Sequence, residues 1–370
     1  MRRLVVVTEE MISPHGTQML AAMVVDEAVN AGFEVVLFTP QFDAARSCWS
    51  DFLRKRGVEV HSVGFWLLTR WYLPHRYLTR KLWRFVAAFK PNLIWSPDNE
   101  PFTCCALQSL PKAAPPFFVH DPNEASPAFD SYPKMWFSVC NRVRGLSVHG
   151  QRQKRSAKQY YRLTKPIKVI WPASMVPSDE DFSYPDDSTV HFGQFGRLHR
   201  HKSVSTSIRA IAALREDGYA VHLHIYGRGP EETDLKSLCS SLELSDSVTF
   251  HGEYDWGKVG ECIQTVHVGL ITSLCEGFGL VILEMLSRRR PVIASDVGSS
   301  RELLEEMGGG WVFPLRDRDA LIERMKAVCG DPELIRRTGE RGRQVWQKHF
   351  APGMMFDRYL AFWKECGADI

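Results

Sequence analysis

Two glutamates stand eight residues apart in the segment CEGFGLVILEML, which begins at Cys275. Glu276 precedes a glycine–aromatic–glycine step, and Glu284 lies within an aliphatic run. Because eight residues are about two turns of a helix, the spacing predicts that both carboxylates point to the same side. Such a pair can accept hydrogen bonds from separate hydroxyl pairs of one extended ligand. A carboxylate among apolar neighbours also needs a partner to offset its desolvation, which favours a ligand site over a core helix with a stray acid.

The turn between the two glutamates is a candidate anion-binding loop. It leads directly into the predicted helix, so several of its backbone N–H groups lack partners inside that helix. Amides at a helix N-terminus bind diphosphate or sugar oxygens well. The residues that would supply them are Gly277, Phe278, Gly279 and Leu280.

A second basic turn occurs earlier in the segment GQFGRLHRHK. Arg197 follows a predicted strand, and Lys202 stands at the start of a helix predicted to begin near Ser203. A phosphate placed there would meet a guanidinium, an ammonium and free helix amides together. Taken alone, the segment fits a solvated basic turn equally well.

Three glycines follow two other strands of the same half. Gly227 and Gly229 belong to YGRGP, and Gly252 ends VTFHG. Glycine lets the backbone approach a ligand closely. Each turn by itself fits an ordinary glycine-rich strand-to-helix connection. All these segments nevertheless occur in order at successive strand-to-helix junctions, which favours one site over several unrelated turns.

The first half offers two further candidates. Gly16 lies in the loop after the first predicted strand, which is the phosphate-loop position of a Rossmann half, although no G-x-G-x-x-G pattern is present. His120 and Asp121 follow the predicted strand at 116–119, and we expect them to face a cleft. A lone histidine is more often structural, but this one stands at a carboxyl edge.

The arrangement of predicted elements indicates an α/β protein. At 370 residues the chain exceeds one typical core, so two domains are expected. Strands alternate with helices in both halves, which predicts two doubly wound, Rossmann-like domains with a cleft at the carboxyl ends of the strands. The predicted strands are 3–8, 34–38, 58–61, 92–95, 116–119, 144–148, 167–170, 189–196, 220–226, 247–251, 267–272, 291–295 and 310–313.

The predicted domains have definite boundaries. The first runs from 1 to 174, and a linker rich in Pro, Ser and Asp covers 175–187. The second runs from 188 to 348, and 349–370 forms an amphipathic C-terminal helix.

Bulk properties narrow the function classes. No apolar stretch approaches the roughly 20 residues that span a bilayer, and MRRLVVVTEE predicts a first strand rather than a signal peptide. The nine cysteines show no metal-binding spacing, which predicts reduced thiols in a cytoplasmic protein. No D-x-D or Cys/His cluster stands at the end of a predicted strand, so no metal site is predicted.

Charge is unevenly distributed along the chain. Residues 1–174 contain 23 Lys and Arg against 13 Asp and Glu, whereas residues 175–370 contain 23 against 30. The basic half predicts an acidic partner: a membrane surface, a phosphorylated acceptor or nucleic acid.

Residues 64–90 contain six Lys or Arg, many aromatics and no acid. This stretch suits an anionic bilayer surface, although an ordinary helix that packs its aromatics on a sheet would show the same pattern. Its helical stripe consists of Arg76, Arg80 and Arg84.

These motifs resemble those of the retaining glycosyltransferases of family 4, which have the GT-B architecture of two Rossmann-like domains. EGFGLVILE resembles the E-x7-E motif of that family, and GRLHRHK resembles its glycine–arginine–lysine motif. YGRGP, VTFHG and PVIASDVGSSREL match in the same order, and the resemblance covers nearly all of the chain. It also implies that the last helix crosses back onto the first domain. The sequence departs from the family in its first loop, where only Gly16 stands, and in WPASM, which replaces an asparagine–glycine step.

The resemblance implies that the first domain binds the acceptor and the second the nucleotide sugar, and it implies a role for each candidate. Arg197 and Lys202 would neutralise the donor diphosphate, Glu284 would bind the ribose hydroxyls and Glu276 would bind the donor sugar. The amides of 277–279 would support sugar and phosphate. The loop of Gly16 would approach the phosphates, and His120 would lie beside the sugar on the acceptor side.

The sequence therefore predicts a retaining, metal-independent glycosyltransferase that needs no cofactor and uses a UDP-, GDP- or ADP-sugar. The predicted acceptor is a lipid-linked saccharide, or a glycolipid or polysaccharide precursor, at the cytoplasmic face of a membrane, with no nucleic-acid partner. Three alternatives stay open: a soluble small-molecule acceptor, a nucleotide-sugar 2-epimerase and an inactive nucleotide-sugar-binding scaffold.

Overall fold

The computed structural model describes most of the chain, and its described residues form two compact units. Unit 1 comprises Met1–Ala173 and Gly353–Ile370, and unit 2 comprises Ser174–Pro352. The described residues are 1–12, 16–62, 73–122, 134–173, 183–185, 188–254 and 258–370.

The described part of unit 1 contains a seven-stranded sheet in the order β3-β2-β1-β4-β5-β6-β7, in which all neighbours are parallel. The inner strands are buried on both faces, as is usual in parallel sheets, and their sequences are accordingly rich in Val, Ile and Phe. They are β1 (Arg2–Val7), β2 (Phe33–Phe38), β3 (Glu59–His61), β4 (Leu93–Ser96), β5 (Phe117–Asp121), β6 (Gly145–Val148) and β7 (Ile167–Val169).

Helices connect these strands. Pro101 begins α4, where its missing N–H costs no hydrogen bond. One face of the sheet packs against apolar side chains of α3, among them Leu78, Leu82 and Val86. The helices are α1 (Gly16–Asn30), α2 (Ser50–Lys55), α3 (Leu73–Phe89), α4 (Pro101–Gln108), α5 (Lys134–Val139) and α6 (Gln151–Tyr161).

The described part of unit 2 repeats this plan with six parallel strands in the order β10-β9-β8-β11-β12-β13. The strands are β8 (Val190–Phe195), β9 (Val221–Tyr226), β10 (Val248–Gly252), β11 (Val268–Ile271), β12 (Val292–Ser295) and β13 (Gly310–Phe313). The helices are α7 (Val204–Glu216), α8 (Glu232–Ser241), α9 (Val259–Gln264), α10 (Leu280–Ser287), α11 (Arg318–Gly330) and α12 (Pro332–His349).

The predicted fold class is confirmed in that each predicted strand overlaps an observed one and both sheets are doubly wound. In each sheet the strand order reverses once, at β1/β4 and at β8/β11. Loops diverge there at the carboxyl ends of the strands, where ligands of such folds bind.

The last helix, α13 (Met354–Glu365), belongs to unit 1. It begins five residues later than the predicted C-terminal segment, because α12 continues through His349 and Phe350 is fully buried in unit 2. Gly353, at φ +86°, then provides the left-handed residue that separates the two helices.

Aromatic rings fasten α13 to the sheet of unit 1. Trp363 packs on Trp95 with ring centroids 6.5 Å apart, and Phe362 packs edge-on against Phe118 at 5.8 Å. Gly145 in β6 gives Phe362 its space, since a Cβ there would lie 2.6 Å from the ring. The packing of α13 therefore depends on a residue without a side chain.

We expect Gly145→Ala to destabilise unit 1 by about 1–3 kcal/mol, since the added methyl overpacks a buried aromatic cluster. Phe362→Leu in the same chain should relieve the overlap. Thermal unfolding of both single variants and the double variant gives the loss of unfolding free energy in each. If the loss in the double variant equals the sum of the two single losses, the contact is contradicted.

Candidate functional site

The basic turn of unit 2 lies where predicted, between β8 and α7. Arg197 is exposed in the loop, and Lys202 ends a short 3-10 turn immediately before Ser203. Burial lowers the pKa of His201, and the positive charges of Lys202 and Arg197 lower it further. The turn therefore has a positive potential suited to an anion.

Lys202 and Glu276 form an ion pair across this edge of the sheet. The ammonium lies 2.5 Å and 2.9 Å from the two carboxylate oxygens. Both side chains are mostly buried, at 24% and 14% exposure, so solvent screens the pair less than a surface pair. Two residues predicted to meet different parts of one ligand are thus in direct contact.

A buried hydrogen-bond network holds the backbone beneath Lys202. The Thr272 hydroxyl donates to the carbonyl oxygens of Lys202 and Ser203, at 3.2 Å and 3.0 Å. Ser207 donates to the Gln194 amide oxygen at 2.6 Å, and the Gln194 amide nitrogen donates to Thr272 at 3.2 Å. The sequence analysis missed this network. The sequence pattern that could have indicated it is a polar residue near the end of a strand: Gln194 in β8 and Thr272 directly after β11.

The loop that contains Glu276 is fixed by backbone contacts. The Leu274 amide donates to the His201 carbonyl at 2.7 Å, which ties this loop to the basic turn. On its other side, a Cβ at Gly298 would lie 2.6 Å from the carbonyl oxygens of both Glu276 and Gly277. Gly298 also has φ +53°, so two separate constraints require glycine there.

The helix N-terminus after this loop forms as predicted. Gly279 is the N-cap of α10, with φ +83°, and the amides of 277–280 lead into its first turn. Phe278 is anchored by its ring, which is 4% exposed and packs on Phe350. Its ring therefore fixes the turn.

Glu284 lies on the second turn of α10 and is 5% exposed. Burial raises the pKa of the Tyr254 phenol, and the negative charge of Glu284 raises it further. The two carboxylates of the motif therefore have different surroundings: Glu276 faces a cation, and Glu284 lies near a neutral phenol.

The glycines of YGRGP touch protein backbone. A Cβ at Gly227 would lie 2.0 Å from the Gly196 carbonyl oxygen, and one at Gly229 would lie 2.1 Å from that of Leu198. Gly252 accepts a hydrogen bond from the Gly227 amide at 2.7 Å. These glycines let the loops after β8, β9 and β10 pack side by side, which explains them without a ligand. Their predicted ligand contact stays a prediction.

A stack of rings continues from these loops. Tyr226 lies parallel to Phe195 at 4.6 Å and to His251 at 4.1 Å between ring centroids. Tyr254 stands edge-on to both Phe195 and Tyr226. The sequence analysis did not anticipate this cluster, because its members come from three strands and a loop.

His120 is fully buried in unit 1 rather than open to a cleft. Strand β5 continues through Asp121, so His120 lies inside the strand and not beyond its end. Its Nδ1 lies 2.9 Å from Ser147 Oγ and 2.8 Å from the Tyr359 hydroxyl, and its Nε2 lies 3.1 Å from His149 Nε2. In this arrangement the ring joins α13 to the sheet and does not face a ligand.

Gly16 is exposed as the first residue of α1, at the carboxyl edge of the unit 1 sheet. Carboxylates share that edge. Glu9 accepts from the Phe102 amide at 2.9 Å, and Asp98 accepts from Thr8 at 2.7 Å. Desolvation, together with these two neighbouring acids, raises the pKa of Glu100 to about 7.

In the parts of the chain that the structure describes, no three His, Cys, Asp or Glu side chains are grouped to hold a metal ion. Within those same ranges no helix is long and apolar enough to cross a membrane.

We expect Gly298→Ala to weaken binding of a nucleoside diphosphate by tenfold or more, since its methyl displaces the carbonyls that position Glu276. Gly218→Ala is the matched control: it has φ +85° but no atom within 4 Å of the added Cβ. Both variants incur the left-handed backbone cost of about 1–2 kcal/mol. Calorimetric titration with the nucleoside diphosphate gives the affinity of each variant. Equal affinities for the two variants would contradict the role of Gly298.

The buried histidine pair should make unit 1 sensitive to acid. Burial lowers the pKa of His149 to about 3 and that of His120 well below its usual range. The unfolded chain takes up these protons near pH 6.5, so stability is fully present above that pH and falls as the pH drops toward 3. Melting temperatures at pH 7.5 and 5.0 should differ less in His149→Gln than in the wild type. An unchanged difference would exclude the pair as the cause.

Two family models match the chain. "Glycosyl transferases group 1" matches residues 182–345, and "Glycosyltransferase Family 4" matches residues 14–173. Among curated relatives, the alpha-D-kanosaminyltransferase of Streptomyces kanamyceticus is 28% identical over 46% of this chain and 45% of its own length. The lipopolysaccharide core biosynthesis glycosyltransferase LpsE of Rhizobium meliloti is 27% identical over 48% of this chain and 50% of its own. The matches thus span half or less of these relatives.

The fold also matches solved structures. HepE of Anabaena, solved in complex with UDP and glucose, is 16% identical and aligns with a TM-score of 0.78 over 97% of this chain and 99% of its own. At this identity the likeness concerns the fold, which is the GT-B arrangement of two parallel-sheet units. With both halves matched by family models and the E-x7-E segment at the start of α10, the chain belongs to glycosyltransferase family 4.

Proposed function

We propose that the chain is a retaining, metal-independent glycosyltransferase that moves a sugar from a nucleotide-diphosphate sugar to an acceptor hydroxyl. The observation that carries the proposal is the Lys202–Glu276 pair at the carboxyl edge of unit 2, beside the N-terminus of α10. A cation, a carboxylate and a helix N-terminus in one place suit a phosphorylated sugar, which presents anionic oxygens next to hydroxyls.

The leaving group of this reaction is a nucleoside diphosphate, so negative charge grows on its phosphate oxygens as the bond to the sugar breaks. Lys202, the exposed Arg197 and the amides of 277–280 stabilise that charge in the proposed mechanism. Glu276 accepts hydrogen bonds from sugar hydroxyls, and Glu284 accepts them from the ribose.

In the proposed step, the acceptor oxygen attacks the anomeric carbon from the face that the diphosphate leaves. The carbon–oxygen bond to phosphate breaks, a new carbon–oxygen bond to the acceptor forms, and the departing phosphate oxygen takes the acceptor's proton. The anomeric configuration is retained. A covalent double displacement is the alternative route, for which a carboxylate nucleophile is needed.

The proposed acceptor is a lipid-linked saccharide presented at a membrane surface. Residues 64–72 of the predicted basic stretch lie outside the described residues, but α3 is described from Leu73. Its three stripe arginines, Arg76, Arg80 and Arg84, are exposed, while the opposite face packs into the core. Tyr77 beside them is 65% exposed. An exposed row of cations with an adjacent tyrosine suits an anionic bilayer interface.

The relatives support both halves of the proposal. HepE was solved with UDP and glucose, which supports a nucleotide-diphosphate donor. LpsE is named for lipopolysaccharide core biosynthesis, which supports a saccharide acceptor attached to lipid.

The test of the donor site is Lys202→Met, with Arg200→Gln as the matched control on the same 3-10 turn. Losing the ammonium should weaken binding of the preferred nucleoside diphosphate by about 1–3 kcal/mol, as expected for charge-assisted hydrogen bonds. Arg200 is exposed and should change the affinity less than threefold. Titration of UDP, GDP and ADP into each protein gives the affinities.

Turnover of the donor sugar should persist in EDTA. It is measured as the release of free nucleotide. Loss of turnover in EDTA with rescue by manganese would overturn metal independence. Equal affinities of the Lys202 and Arg200 variants would overturn the donor site itself.

A further inference from the structure

A pocket of about 510 Å³ lies in unit 1 among α3, α4 and α5. It is separate from the candidate donor residues, all of which belong to unit 2 apart from Gly16 and His120. Its volume falls in the range of small-molecule sites. The described lining contains no acid and consists of Arg76, Thr79, Arg80, Trp83, Cys105, Gln108, Ser109 and Met135.

Two guanidinium groups give the pocket its charge. Arg76 and Arg80 are one helical turn apart, and both are exposed at its rim. Neither forms an ion pair with a carboxylate in the described part of the chain. Guanidinium groups bind phosphate oxygens in a bidentate manner, so two of them at one rim favour a phosphate ester.

One wall of the pocket is apolar and held in place. The Trp83 indole N–H donates to Ser109 Oγ at 3.1 Å, and Ser109 Oγ donates to the Cys105 carbonyl at 2.9 Å. These two bonds fix the indole ring against α4. Met135 from α5 adds an adaptable apolar surface. The ligand should therefore have an apolar part next to its anion.

The wall also contains a polar group without a partner. Thr79 is 4% exposed, and its hydroxyl has no hydrogen-bond partner among the described residues. A buried hydroxyl without a partner costs free energy, so such groups are rare unless a ligand or water satisfies them. Thr79 lies between Arg76 and Arg80 along α3, next to the place where a phosphate would bind.

We propose that this pocket binds the headgroup of a single anionic phospholipid, with its phosphate between Arg76 and Arg80 and its glycerol backbone against Trp83 and Met135. The inference rests on the proposed action at a membrane surface and deepens it. The α3 stripe would attract the bilayer by charge alone, whereas the pocket would bind one lipid molecule and fix the orientation of unit 1 on the surface.

The stripe itself provides a matched control. Arg84 is exposed on the same face one turn beyond Arg80, but it does not line the pocket. Arg80→Gln and Arg84→Gln therefore remove the same charge from the same helix. If lipid affinity falls more in Arg80→Gln than in Arg84→Gln, the lipid binds in the pocket. An equal fall in both shows only an effect of surface charge.

The probe is dihexanoyl phosphatidylglycerol, titrated calorimetrically below its micelle concentration into the full chain. Arg80→Gln should weaken binding about tenfold or more, as expected for losing charge-assisted hydrogen bonds, and Arg84→Gln less than threefold. Arg76→Gln, a second pocket variant, should behave like Arg80→Gln. Dihexanoyl phosphatidylcholine, which has no net charge, should bind at least tenfold more weakly than the anionic lipid.

Three outcomes would overturn the proposal: no binding of the anionic lipid, equal losses in Arg80→Gln and Arg84→Gln, or inorganic phosphate that binds as tightly with the same dependence on Arg80. Binding of the protein to vesicles that contain phosphatidylglycerol, measured at low and high salt, tests the membrane action separately. The pocket can then fail while the membrane action stands. Loss of vesicle binding by about fivefold in both variants would leave surface attraction standing and the pocket refuted. Nucleoside diphosphate affinity should stay unchanged in all three arginine variants, so the donor site is judged independently.

Discussion

The Lys202–Glu276 ion pair is the contact on which the organisation of unit 2 depends. Strands β8 and β11 are neighbours at the point where the strand order reverses, so the loops that follow them emerge side by side. One loop ends in a lysine and the other contains a glutamate, and their charges cancel in a site that is mostly shielded from water. The pair itself therefore has no net charge, and the positive potential of the turn comes from the other bases beside it. In the proposed mechanism, an incoming diphosphate would compete with Glu276 for the ammonium, and the freed carboxylate would then accept hydrogen bonds from hydroxyl donors.

The same pair explains why so much of its surroundings is polar yet buried. The carbonyls of Lys202 and Ser203 need donors once the 3-10 turn is packed against the sheet. Thr272 shares its one hydroxyl proton between them, and the Gln194 amide, which accepts from Ser207, donates to Thr272 in turn. Because each member already has a partner, the network fixes one backbone path. Gly298 makes the same contribution from the opposite side by leaving room for two carbonyls.

The sequence predicted the fold well because its signals are local. Each strand is a short apolar run between turn residues, and each run occurs where the structure has a strand. The turns at Lys202 and Glu276 were also predicted, since glycine and charge mark the ends of strands. What the sequence could not supply was long-range pairing. Lys202 and Glu276 are 74 residues apart, and His120 and Tyr359 are 239 apart.

The difference at His120 has the same origin. His120 was expected at an open edge, because strand β5 was predicted to end two residues early and no local signal places α13 above it. The ligand contact of Gly227 and Gly229 stays a prediction, and in the structure their close neighbours are backbone atoms of an adjacent loop. Single-sequence patterns identify where the backbone must come close to something, but the identity of that neighbour depends on the folded topology.

In unit 1 the opposite charges are separated in space. Its basic composition predicts an acidic partner, and the structure shows where the two kinds of charge lie. Glu9, Asp98 and Glu100 lie at the carboxyl edge of the sheet, and the raised pKa of Glu100 reflects desolvation and their mutual repulsion. Many exposed bases lie instead on helices, on α3 and on α6 at Arg152, Arg155 and Lys158. An anionic group would be repelled by the edge and attracted by the helices. The proposed acceptor, with an uncharged, hydroxyl-rich saccharide at one end and an anionic lipid anchor at the other, would suit both surfaces.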